Sequence, residues 1–129
     1  MKILEVMIKL HEDYAKETHK GCLNRAFILY CFLKSKGFNP NIKMIEINVD
    51  YAHHFVIEKN NVYDPNQGID LIPKRKYQYP EKKMGNSEKF IRDNCNFQFF
   101  LGYLPRFDLS FQESINPLME KYGRSLCNR

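Results

Sequence analysis

The stretch that most restricts what this chain can become is GCLNRAFILYCFLKSKG, residues 21–37. Ala26, Leu29 and Leu33 follow Cys22 by four, seven and eleven positions, so the four side chains share one face of a helix. Phe27, Ile28, Tyr30, Cys31 and Phe32 make most other faces apolar as well. A helix that is apolar nearly all round has to be enclosed by the rest of its domain. Polar Thr18-His19-Lys20-Gly21 precedes it, and Gly37 followed by Pro40 stops it. Cys22 then falls in the first turn, where the helix dipole and free N–H groups favour a thiolate. Cys22 is therefore the candidate nucleophile, set against the simpler reading of a small core residue.

The surrounding pattern predicts an α+β fold. Ile3, Val6, Met7, Leu10 and Tyr14 recur at helical spacing over residues 2 to about 17. In NIKMIEINVD, Ile45, Ile47 and Val49 alternate with polar residues, which predicts a half-buried strand. YAHHFVIE continues as a second strand, Lys59-Asn60-Asn61 marks a turn, and Val62-Tyr63-Asp64 returns before Pro65. The middle of the chain thus reads as a small antiparallel sheet packed on the Cys22 helix. Beyond Gly68 the pattern is irregular, with Pro73 and Pro80 in a basic loop. Ser87 opens a helix through Phe90, Ile91 and Cys95, and the aromatic run Phe97–Leu104 suits strand or helix equally. Ser110 with Glu113 forms a capping-box pattern for a last helix, kinked or restarted at Pro117 and stopped near Gly123.

A chain of 129 residues is expected to form one domain over 1–129, with a core about 18–68 and a C-terminal extension about 69–129. No apolar run approaches the ~20 residues of a membrane span. The N-terminal segment lacks the uninterrupted apolar core of a signal peptide, so a cytoplasmic location is the default, with export by a signal-less route left open. The four cysteines, Cys22, Cys31, Cys95 and Cys127, form no CxxC pair, and reduced thiols fit better than two disulfides. Net charge is +5. Its densest segment, Lys74-Arg75-Lys76 through Lys82-Lys83 with Tyr77 and Tyr79 between, reads as a solvated loop rather than a nucleic-acid contact. Nothing in the sequence implies an oligomeric state.

A cysteine nucleophile needs a base and a group that orients the base. The chain supplies them in the order Cys22, then His53 or His54, then Asp64. Hairpin register leaves the choice of histidine open. A four-residue loop from Glu58 to Asn61 sets His53 on the face of Asp64, a three-residue loop favours His54, and a two-residue Asn60-Asn61 turn serves neither. A zinc site from Cys22, a histidine and the aspartate is the lesser alternative. Cys31, Cys95 and Cys127 read as structural, and His11 and His19 as surface residues.

GCLNRAFILYCFLKSKGFNP followed by AHHFVIEKNNVYDP resembles the core of the transglutaminase-like branch of the papain-like cysteine proteins. Gly21, Cys22, Ala26, Leu29 and Gly37 match that branch's cysteine motif, and Cys22-Leu23-Asn24-Arg25-Ala26 is similar to its form in leader-peptide proteases of lasso-peptide maturation. Ala52-His53-His54-Phe55-Val56 matches the histidine motif with Phe in place of Trp, and Asp64-Pro65 matches its close. Alignment on that aromatic selects His53; alignment on a His-Phe-Val pattern, as in bacteriocin-processing peptidases, selects His54. His53 is favoured. Ile57 stands where the family often has Glu, no oxyanion-hole glutamine precedes Cys22, and the chain after Gly68 matches nothing in the family.

The resemblance implies a papain-like fold with extra C-terminal helices. It implies acyl transfer from a peptide or protein amide through a thioester on Cys22, with Cys22, His53 and Asp64 as triad and no cofactor or metal. Water as acceptor gives protease, amidase or glutamine-deamidase activity, and an amine gives cross-linking. The competing expectation is an inactive module of the same fold that binds a protein partner, through segments such as 74–83 and 96–104.

Overall fold

The computed structural model describes residues 2–16, 21–48, 51–69, 72–73, 82–83, 105, 108–113, 116–117 and 120. The expected helices at Ser87 and beyond Pro117, the aromatic run Phe97–Leu104, most of the basic loop, and residues His19, Cys95 and Cys127 lie wholly or mainly outside these. Within them the architecture is α+β. Helices α1 (Ile3–Lys16) and α2 (Gly21–Ser35) are followed by strands β1 (Asn41–Asn48), β2 (Tyr51–Glu58), β3 (Asn61–Tyr63), β4 (Ile72–Pro73) and β5 (Lys82–Lys83). The antiparallel sheet runs β4-β3-β2-β1-β5.

Helix α2 is enclosed as its composition requires. Every residue from Arg25 to Leu33 is buried. The α1 side chains Val6, Met7 and Leu10 pack on it, and from the sheet come Ile42, Val56 and Tyr63. Those three sit opposite one another across β1, β2 and β3, so they mark the sheet face that carries the helices. A second cluster, Ile45, Phe55, Ile57 and Val62 with Ile72 against it, belongs to the other face. Strand β2 is therefore apolar on both sides through its centre, which is why its pattern runs together instead of alternating.

The α2 C-terminus closes on a glycine. Gly37 has φ +88°, its N–H bonds the Lys34 carbonyl at 3.0 Å, and the Phe38 N–H reaches back to Leu33 at 3.1 Å. This is the paired end motif that only glycine adopts without strain.

Three sequence expectations need correction. The β2–β3 turn is Lys59-Asn60, with Asn61 already paired to Glu58. The Val56↔Tyr63 and Ile57↔Val62 register is the one a four-residue loop would set, extended by one further pair. The basic segment after Gly68 does not stay outside the sheet, because Ile72–Pro73 and Lys82–Lys83 pair along its two edges. Proline and lysine suit edges, where one side of the backbone has no strand partner and charge discourages further pairing. Finally, the cap before residues 109–113 is Asp108 rather than Ser110. Its carboxylate accepts the Phe111 N–H at 2.8 Å, and buried Phe111 stacks on Phe32 with ring centroids 5.3 Å apart. Burial of Phe111 fixes the helical frame, and the frame selects the residue three positions earlier as cap.

Lys59 holds φ 55°, a left-handed conformation that costs a side chain with a Cβ about 1 kcal/mol. Two substitutions should therefore move urea midpoints in opposite directions. Lys59→Asn should stabilise by roughly 0.5 kcal/mol, and Gly37→Ala should destabilise by about 1 kcal/mol or more.

Candidate active site

The turn that ends β3 is built to present one carboxylate oxygen. Asp64-Pro65-Asn66-Gln67 closes with the Gln67 N–H on the Asp64 carbonyl at 2.9 Å, with proline in the position its fixed φ favours. The Asn66 N–H donates to Asp64 Oδ1 at 3.0 Å, which leaves Oδ2 for another donor. That donor is His53, whose Nε2–H lies 2.7 Å from Oδ2. Asp64 is 0% exposed and His53 4% exposed, so the bond is shielded from water. A buried carboxylate is tolerable only with such partners.

Both helices brace this turn. His11 of α1 donates through Nδ1 to the Pro65 carbonyl at 2.6 Å. Arg25 of α2 donates through Nη2 to Asn66 Oδ1 at 2.9 Å. His11 is thus half-buried and bonded, not the surface residue the sequence suggested.

Cys22 brings the thiol to the same place. Its Sγ lies 3.6 Å from His54 Nδ1, and it also hydrogen-bonds the His53 side chain. Asp64 occupies His53 Nε2, so the sulfur meets the ring from its Nδ1 side, where Asn66 Nδ2 also lies, 3.5 Å from Nδ1. Neighbouring side chains of a strand point to opposite faces. One sulfur can meet both rings only by lying against the strand backbone, and Cys22 does hydrogen-bond the His54 backbone. Strand β3 makes room by pairing with β2 only from Val56 onward. A register shift between Glu46 and Asn48 on β1 lies beside the same end of β2, and such bulges commonly re-aim side chains near functional sites.

The electrostatics follow from this packing. Burial pushes the Cys22 thiol up, but hydrogen bonds from the His53 and His54 side chains, the charge of His54 and its backbone bond outweigh burial. The thiol falls from its ordinary 9.0 to about 6. Burial pushes His53 down, but the Asp64 hydrogen bond, the Cys22 hydrogen bond and the charges of both raise it from 6.5 to about 9. Between those limits the pair is a thiolate beside an imidazolium.

The structure therefore brings together Cys22, His53 and Asp64, and it keeps His54 on the thiol as well. Register was the missing information for the histidines: His53 shares the Asp64 face, as its stacking on Phe55 at 6.2 Å reflects. Sequence reasoning missed Arg25, Asn66 and His11 as parts of the site. A lone arginine inside an apolar helix was the available signal for Arg25. The other two follow only from the turn's placement between the helices. Cys31 is fully buried in the core. Among the described residues, no three His, Cys, Asp or Glu side chains are grouped to hold a metal ion, and no helix is long and apolar enough to cross a membrane.

Comparison with protein-family models, curated proteins and solved structures finds no match to this chain.

Alkylation of Cys22 by iodoacetamide, followed by peptide mass spectrometry, should rise through a midpoint near pH 6, because only the thiolate reacts. In His53→Gln that midpoint should move up toward the ordinary 9.0. Cys31, at 0% exposure, should label only on unfolding.

Proposed function

We propose that this protein is a cysteine hydrolase or acyltransferase acting on an amide of a peptide or protein, with a papain-like core of the transglutaminase-like form. The observation that carries the reading is the buried His53–Asp64 hydrogen bond with the Cys22 sulfur held beside both His53 and His54. A structural cysteine in a core has no need of a hydrogen-bonded imidazole whose far nitrogen is fixed by a carboxylate.

In this reading the Cys22 thiolate attacks the amide carbonyl and forms a C–S bond, and the carbonyl π pair moves to oxygen. The α2 N-terminus, with its aligned dipoles, favours negative charge at that position. Collapse of the tetrahedral species breaks the C–N bond while the His53 Nδ1 proton passes to the departing nitrogen. Neutral His53 then takes a proton from water or an amine as that nucleophile attacks the thioester carbonyl, and collapse breaks the C–S bond and restores the thiolate beside the imidazolium. Asp64 holds the ring so that Nδ1 faces sulfur, and it stabilises the imidazolium. His54, half-buried and 3.6 Å from the sulfur, adds a second hydrogen bond that holds the thiolate.

A mixture of peptide amides should leave an acyl adduct on the Cys22 peptide after acid quench, and Cys22→Ala should leave none. Absence of any adduct, together with a Cys22→Ala protein that keeps its cellular effect, would favour a partner-binding module instead. For a substrate so found, kcat/KM should be bell-shaped. It should rise through about 6 as the thiolate forms and fall through about 9 as His53 loses the proton it must donate, both values belonging to the coupled pair. Asp64→Asn keeps the shape but removes the charge that stabilises the imidazolium and sets an NH₂ against either Nε2–H or the Asn66 N–H, so kcat should drop, by up to roughly 10⁴ where it meets Nε2–H.

A further inference from the structure

Arg25 and Asn66 are not needed to assemble the three residues above, yet together they reach the Nδ1 side of His53. Arg25 is 2% exposed on an otherwise apolar stretch of α2. Its Nη2 donates to Asn66 Oδ1 at 2.9 Å, and Asn66 Nδ2 lies 3.5 Å from His53 Nδ1. A guanidinium has donors only, so it fixes which end of the amide faces it. Turning the amide over would set the NH₂ against Arg25 and waste both donors. The end that faces His53 must therefore be the NH₂.

We infer that Arg25 and Asn66 form a positioning relay that keeps a hydrogen-bond donor facing His53 Nδ1, stabilising the ring with Nε2 protonated and Nδ1 bare. That is the tautomer left when the Nδ1 proton has moved to a leaving nitrogen. A donor facing Nδ1 opposes reprotonation there, so the relay counterbalances Asp64 and the thiolate, which both favour the imidazolium. Among the described residues, the titratable groups that face His53 are Cys22 of α2, neighbouring His54 on β2, and Asp64 of the turn. From β1 it faces Ile45, which does not titrate. Among these, Asn66 is the neutral group whose orientation sets a donor against Nδ1, and Arg25 fixes that orientation.

The catalytic consequence rests on the acyl-transfer reading; the tautomer preference does not. It can be read directly by ¹⁵N NMR titration of histidine-labelled protein. Asn66→Asp keeps an acceptor for Arg25 but puts a second acceptor against Nδ1, so His53 should titrate about one pH unit or more higher than in the parent. Arg25→Gln can donate or accept, which frees the amide to turn, and should shift His53 in the same direction by less. If the Asp variant does not fold, Asn66→Ser and Arg25→Gln carry the test. A folded Asn66→Asp, or in its place a folded Asn66→Ser with Arg25→Gln, that leaves His53's titration unchanged overturns the relay. The expected shift in a protein that forms no Cys22 adduct would keep the relay and sink the acyl-transfer reading. Turnover without the shift would do the reverse. Where both hold, the alkaline limb of kcat/KM should move up with the NMR value in Asn66→Asp, and kcat should fall because the imidazolium gives up its proton less readily.

Discussion

The 2.7 Å hydrogen bond between His53 and Asp64 is the contact on which the rest of the site depends. A carboxylate with no exposure is costly to bury, so its oxygens must be satisfied by neighbours held in place. One oxygen is satisfied within the turn by Asn66, the other across the hairpin by His53. Breaking either bond would leave a buried acceptor without compensation, a larger loss than an exposed pair of the same geometry could cause. That asymmetry ties the hairpin register to the chemistry, since a one-residue slip would turn His53 away from Asp64.

The turn also joins elements that share the apolar core. His11 reaches it from α1 and Arg25 from α2, so the segment carrying Asp64 is held by both helices as well as by its strand. Helix α2 acts in two ways. Its middle is a fully buried core element, and its first turn carries the thiol toward β2. Rigid support of this kind keeps reactive groups within a few tenths of an ångström of a working arrangement.

Much of the frame was legible in the residues. The all-round apolar stretch with Gly37 at its end defines α2 almost to the residue, because burial and the left-handed glycine are local demands of the chain. The α1 periodicity and the β1 alternation were equally direct. The site types, Cys22 with a histidine pair and Asp64, were also readable. Family resemblance favours His53 over His54, but hairpin register alone leaves open which of them meets Asp64, because alternation makes it depend on one turn residue. Lys59 adopts a positive φ that asparagine accepts more readily, so the signal Lys59-Asn60-Asn61 leaves the loop length open, whereas the structure pairs Asn61 with Glu58. The cap at Asp108 is hidden from local pattern for a similar reason: two polar residues compete locally, and the burial of Phe111 decides between them.

Helix α2 thus has a fuller meaning than its composition alone conveys. By itself the sequence determined that residues 21–37 form a buried helix with a thiol in its first turn, since hydrophobic periodicity and end signals act over a few residues. Only the tertiary structure decided that the sulfur lies against the β2 backbone, where both His53 and His54 reach it. Only the tertiary structure set Arg25 on Asn66 and Asn66 beside His53. Those contacts join residues separated by 13 to 41 positions, and such distances are closed by sheet register and helix packing, to which no local pattern is sensitive.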